Sequence, residues 1–144
     1  MTPITREQIV AEARSWLGTP WVHQHRTKGV AVDCAGLVIG VARALGVVPE
    51  TFDVQGYGRQ PDGTLLDVCD AHLQRVQRAD LAPGDVIVVA VERDPQHMGI
   101  VVPYRGDMLG IVHAASIARR VIEHRLLFGA GMFFRRAYRF PGVA

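Results

Sequence analysis

Apolar and polar positions along this chain alternate with two different periods, one in each half. In the first half, Ile9, Val10, Ala13, Trp16 and Leu17 recur at helical spacing. Thr5 and Gln8 before them form a capping-box pattern, and Gly18 and Pro20 stop the run. A second stripe, Cys34, Leu37, Val38, Val41, Ala42 and Leu45, predicts a helix over about 34–45, with Asp33 as N-cap and Gly46 and Pro49 beyond its end. Between the two, residues 19–32 read as a polar loop that runs straight into Asp33. Residues 50–63 carry Gly56, Gly58, Pro61 and Gly63 and read as an irregular surface segment. Thr64 then caps a short helix with Leu65, Val68, Cys69, His72 and Leu73 on one face.

After Leu81-Ala82-Pro83-Gly84-Asp85, where Asp85 is read as serving a turn, the period becomes that of strands. Val86–Val91 is a continuous β-branched run, which predicts a buried strand. Further strands are expected over 97–102, 108–114, 119–127 and 132–140, with turns at 92–96 and at Arg105-Gly106-Asp107. Helices followed by strands imply one α+β domain over 1–144, its N-terminal helices packed on a C-terminal antiparallel sheet of about five strands. A hairpin turning at 105–106 puts His97 and His113 nearly opposite each other on adjacent strands.

The chemistry gathers at the start of the second helix. Cys34 is a first-turn residue, where the helix dipole favours thiolate over thiol. His97 can serve as its base and His113 as the group that orients that base. The first-turn amides of Cys34 and Ala35 have no intrahelical acceptor and can face an oxyanion. Asp33 reads as a cap rather than an acid. Cys69, on an apolar stripe, reads as a buried inert thiol, and His72 and His124 as surface residues.

Composition narrows the picture further. The 144 residues carry a net charge of +2, and the chain has two cysteines, too few for a disulfide framework. Its arginines are scattered apart from Arg119-Arg120 and Arg135-Arg136, which read as solvated strand edges, so no nucleic-acid partner is expected. No apolar run approaches the roughly 18 residues of a membrane span, so membrane insertion is not expected either. Met-Thr-Pro-Ile-Thr-Arg-Glu does not read as a secretory signal, which predicts synthesis in the cytoplasm with free thiols.

Five ordered motifs carry a resemblance. They are Thr19-Pro20-Trp21, Asp33-Cys34-Ala35-Gly36-Leu37-Val38, Leu81-Ala82-Pro83-Gly84-Asp85, His97-Met98-Gly99-Ile100-Val101 and His113-Ala114. Over residues 5 to 115 the chain resembles NlpC-type cell-wall peptidases, and His23-Gln24-His25-Arg26 before Gly29 is most similar to the phage-tail-associated branch. The resemblance implies a papain-like fold, with Cys34 as nucleophile, His97 as base and His113 as orienting residue. It also implies a peptidoglycan stem peptide as substrate, cut at the bond between D-glutamate, through its γ-carboxyl, and a diamino acid. Phage-tail proteins are the implied partners, and the implied setting is a virion acting at the cell wall. No cofactor is called for.

Two positions depart from the family pattern. Ala35 stands where a serine is common, and Trp21 where a tyrosine hydroxyl often lies near the cysteine. His23 and Gln24 are the candidates to replace that hydroxyl, beside a plain role as loop residues. Other readings of the same residues are an N-acetylmuramoyl-alanine amidase, a non-catalytic wall- or tail-binding module, and a zinc-binding protein. The last lacks the short paired spacing of structural zinc ligands, so no metal is expected.

Overall fold

The computed structural model describes residues 3–54, 64–91, 94–129 and 131–143. The first helix, α1, spans Arg6–Arg14. Its capping box forms as the sequence predicts, with the Gln8 amide nitrogen on Thr5 Oγ1 at 3.1 Å and the Thr5 amide on Gln8 Oε1 at 2.9 Å. The helix ends earlier than expected, at Ser15, so Trp16 is buried while Leu17 is 44% exposed instead of joining the buried face. Ser15 to Thr19 turn back through i→i+3 bonds that take the chain off the 3.6-residue period.

The loop that follows is not structureless. Arg26–Thr27 (β1) and Ala31–Val32 (β2) pair as a two-stranded hairpin. Helix α2 spans Cys34–Ala44, and every residue from Ala35 to Ala42 is buried. Gly40 makes this possible on one side, because a Cβ there would overlap the Trp16 ring. Helix α3, Thr64–His72, begins at Thr64 itself, so that residue lies inside the helix rather than before it. Of the glycine-rich segment expected over 50–63, residues 55–63 lie outside the described residues, as do Glu92 and Arg93 of the predicted turn.

The sheet has six strands where about five were expected. Strand β3 is Gln74–Val76, β4 Val86–Val91, β5 Asp94–Tyr104, β6 Met108–Ala115, β7 Arg120–Arg125 and β8 Met132–Arg139. Their order is β3-β8-β4-β5-β6-β7, and all pairings are antiparallel. The extra strand, β3, is three residues long and pairs with β8 some 60 positions later, so its own sequence shows no alternation. The last strand folds back between β3 and β4. Arg135 and Arg136 therefore sit on an interior strand, not an edge, and Arg136 pairs with Asp70 at 2.7 Å.

Two apolar clusters hold the sheet. One, with Ile9, Leu37, Val41, Ile100, Val112 and Tyr138, lies between helices and sheet; the other joins Ile87, Val89, Val101, Ile111 and Met132. Helix α2 lies across β5 and β6. Asp85 serves the turn as expected, its Oδ2 accepting from the Ala82 amide at 3.0 Å. It does more than that. Fully buried, it also takes Arg139 through both oxygens (2.8 and 2.9 Å) and Arg6 at 3.3 Å, tying α1, the turn and β8 together.

Candidate active site

Asp33 is the hub of the α2 N-terminus. Its extended backbone lets the carboxylate turn back, and Oδ1 accepts from the Gly36 amide at 2.7 Å, the cap read from the sequence. Oδ1 also meets Arg26 Nη1 at 3.0 Å, while Oδ2 accepts from the Gln24 amide at 2.7 Å and lies 3.9 Å from His23 Nδ1. Gln24 adopts φ +59 to make this contact. The loop does pass close to the cysteine. The Asp33 amide bonds His25 O at 3.3 Å, and a Cβ on Gly36 would overlap that carbonyl oxygen and come within 2.9 Å of Val32 Cγ2. Glycine at 36 is thus what allows the loop backbone to lie on the first turn.

Arg26 is the residue whose role sequence reading missed. Its guanidinium is almost fully buried and joins four groups: Asp33, Asp53 Oδ1 at 2.5 Å, Val54 O at 2.9 Å and His25 O at 3.4 Å. A buried arginine needs such a set of acceptors, and its planar donors match two carboxylates and two carbonyls.

Cys34 opens α2 and is half-buried. Both Cys34 and Trp21 lie against the main core cluster. Trp21 is held by its backbone, with its amide on Arg119 O at 2.9 Å and a bridge to Val32. Ala35 is buried. The Gly36 and Leu37 amides are taken by Asp33, which leaves those of Cys34 and Ala35 as the first-turn donors without an intrahelical acceptor.

On the sheet, His97 and His113 are both buried, and His97 Nε2 lies 2.6 Å from His113 Nδ1. The rings meet edge to face, with centroids 4.8 Å apart. The pairing is diagonal rather than directly opposite. Ile100 faces Val112, so the same register carried on would set Gly99 across from His113 and His97 two residues beyond, on the same side. Burial, then the neighbouring His97 and His124, push the His113 pKa down to about 3, so its imidazole is neutral at physiological pH.

A third histidine joins them. His113 Nε2 lies 2.8 Å from His124 Nε2, and His124 Nδ1 lies 2.8 Å from Arg125 O. His124 is exposed, as read from the sequence, but it is also a member of this chain. Its place on β7, paired in register with Ile111, was the signal that could have found it. With both ring nitrogens in hydrogen bonds, His113 has no lone pair to offer a metal. Among the described residues no three His, Cys, Asp or Glu side chains are grouped to hold one. The described contacts thus form two groups, one on Asp33 and one on His113, and α2 links them by packing on β5 and β6.

No model of a known protein family matches the chain, and no curated protein sequence does. Solved structures do. The chain is similar to the NlpC/p60 domain of the peptidoglycan hydrolase SagA, with a TM-score of 0.64 and 18% identity over 94% of this chain and 98% of that one. The fold is the NlpC/p60 fold. NlpC1 from Trichomonas vaginalis gives 0.68 and 21% over 94% of this chain, which spans 44% of that longer protein. An N-acetylmuramoyl-L-alanine amidase from Bacteroides uniformis gives 0.59 and 14% over 93% of this chain and 98% of that one. The helices, the antiparallel sheet and the position of α2 against it agree with the papain-like architecture expected from the motifs.

Proposed function

We propose that this protein is a cysteine peptidase of peptidoglycan stem peptides. The observation that carries the reading is the direct bond from His97 Nε2 to His113 Nδ1 on the two strands against which α2, opened by Cys34, is packed. In this reading Cys34 Sγ attacks the scissile carbonyl carbon. His97 takes the thiol proton on Nδ1, the nitrogen opposite the one bonded to His113, and returns it to the leaving amine as the C–N bond breaks. The amides of Cys34 and Ala35 receive the oxyanion. His97 then removes a proton from water, which opens the thioester and frees the carboxylate. Asp33, His23, Gln24 and Trp21 shape the approach to Cys34.

The bond assigned is that between D-glutamate, through its γ-carboxyl, and the diamino acid. The setting is a phage tail or prophage, with action at the wall, a reading supported by the motif likeness around His23-Gln24-His25-Arg26; the bond follows from the likeness of the five motifs together. The shared fold of the Bacteroides amidase favours one second reading, cleavage between muramic acid and L-alanine. Digestion of purified muropeptides, read by mass spectrometry, separates them. The peptidase releases fragments cut within the stem, the amidase releases whole stems from the sugar, and Cys34→Ala releases neither. Equal turnover by wild type and Cys34→Ala would overturn both readings.

A further inference from the structure

With all three rings neutral, one atom fixes the direction of the histidine chain. Arg125 O can only accept, so His124 Nδ1 carries the proton of that 2.8 Å bond. The lone pair of neutral His124 is then on Nε2. That nitrogen accepts from His113 Nε2, which must carry a proton. His113 is neutral, so its own lone pair is on Nδ1 and accepts from His97 Nε2–H. Neutral His97 is left with its lone pair on Nδ1. Every donation runs outward, from the buried His97 to a backbone carbonyl at the rim of the sheet.

We propose that His124 is a positioning residue of the active site, fixing through His113 the tautomer in which His97 carries its basic lone pair on Nδ1. This rests on the reading of His97 as the base. His113 needs such a partner because, unlike a carboxylate, an imidazole can present either a donor or an acceptor to His97. With Nδ1 protonated it would donate to His97 Nε2 and force the His97 proton onto Nδ1, where it blocks attack. An acceptor at His113 Nε2 removes that arrangement, and His124 supplies it. Outward donation also suits the charged state. When His97 becomes imidazolium its Nε2–H still points at an acceptor, and each bond in the chain polarises the next.

The test compares His124→Leu, which removes the acceptor, with His124→Gln, whose amide oxygen can still accept from His113. Exposure of His124 on the edge strand β7 makes both changes compatible with folding, which thermal melts would verify. Side-chain 15N shifts of histidine-labelled protein at about pH 8 report each tautomer directly, independently of any activity. We expect Nε2–H on His97 and His113 and Nδ1–H on His124 in the wild type. His124→Leu should give a mixture at His113 and a kcat about tenfold lower with KM little changed, and His124→Gln should restore both. A complete switch to the wrong tautomer costs on the order of 10⁴ in kcat in a Ser-His-Asp triad, which bounds the loss. Nδ1–H on wild-type His113, unchanged tautomers in His124→Leu, or equal losses in Leu and Gln variants would each overturn the proposal. Absence of muropeptide turnover in the wild type would instead defeat the peptidase reading, and the 15N shifts would still decide the histidine chain.

Discussion

Arg26 Nη1 and the Gly36 amide share one oxygen, Asp33 Oδ1, at 3.0 and 2.7 Å. The residue before Cys34 is therefore both a helix cap and half of a buried ion pair. The side chains are 8% and 4% exposed, so removing the guanidinium takes the arginine charge away from a carboxylate that water barely reaches. We expect Arg26→Met to destabilise the protein by about 3 kcal/mol. Arg14→Met, which breaks the half-exposed Arg14–Glu123 pair, should cost under about 1 kcal/mol. Urea midpoints at neutral pH compare the two. Equal, small shifts would mean that Arg26 does not hold the α2 N-terminus.

Turnover should rank the three proposed catalytic side chains. Cys34→Ala removes the nucleophile and should leave no measurable cleavage. His97→Ala should lower kcat by at least about 10³-fold, and His113→Ala, which removes orientation only, by on the order of 10²-fold. All three should retain cooperative melting. A His113 variant as inactive as His97→Ala would give the two rings one inseparable role.

The features legible in the sequence are those that local spacing decides. Thr5 with Gln8, Asp33 before the α2 stripe, and the β-branched run of β4 all depend on neighbours within a few residues. Even the His97–His113 bond was within reach, because one hairpin turn fixes it; the remaining error was a shift from opposite to diagonal, inside the tolerance of the turn position. What escaped depends on docking across the chain. Arg26 meets Asp53 27 residues on, Asp85 meets Arg139 54 residues on, and β3 exists only because β8 returns beside it. His124 escaped because an exposed histidine on a strand has no pattern of its own; only the β6–β7 register brings it to His113.

His113 also sets an expected acid limb. Its native pKa is lowered to about 3 from an ordinary 6.5. Below about pH 6.5 the unfolded chain binds a proton there that the native protein does not. Stability contributed by neutral His113 is therefore complete above that pH and is lost as pH falls toward about 3. One such group adds a slope of up to about 1.4 kcal/mol per pH unit. His113→Gln keeps an acceptor for His97 but cannot titrate, so its stability should fall less steeply between pH 6 and 4. Parallel curves for wild type and variant, from urea melts at each pH, would show that His113 is protonated in the native state.

The two thiols should differ sharply in reactivity. Cys69 is 4% exposed, and its pKa is pushed up to about 12, chiefly by burial and then by the charge of Asp70. Near neutral pH it is a buried thiol on an apolar pocket that it lines together with Val68, Met98 and Phe140. Cys34 is half-buried at the start of α2, so reagent can reach it where it cannot reach Cys69. In the proposed mechanism the basic Nδ1 of His97 takes the Cys34 proton, which makes that sulfur the nucleophile. Iodoacetamide at pH 7 should label Cys34 well before Cys69, as peptide mapping would show. His97→Ala should slow labelling of Cys34 and leave Cys69 unchanged. The result that would break the thiolate–imidazole pairing is Cys69 labelling first, or a Cys34 rate indifferent to His97.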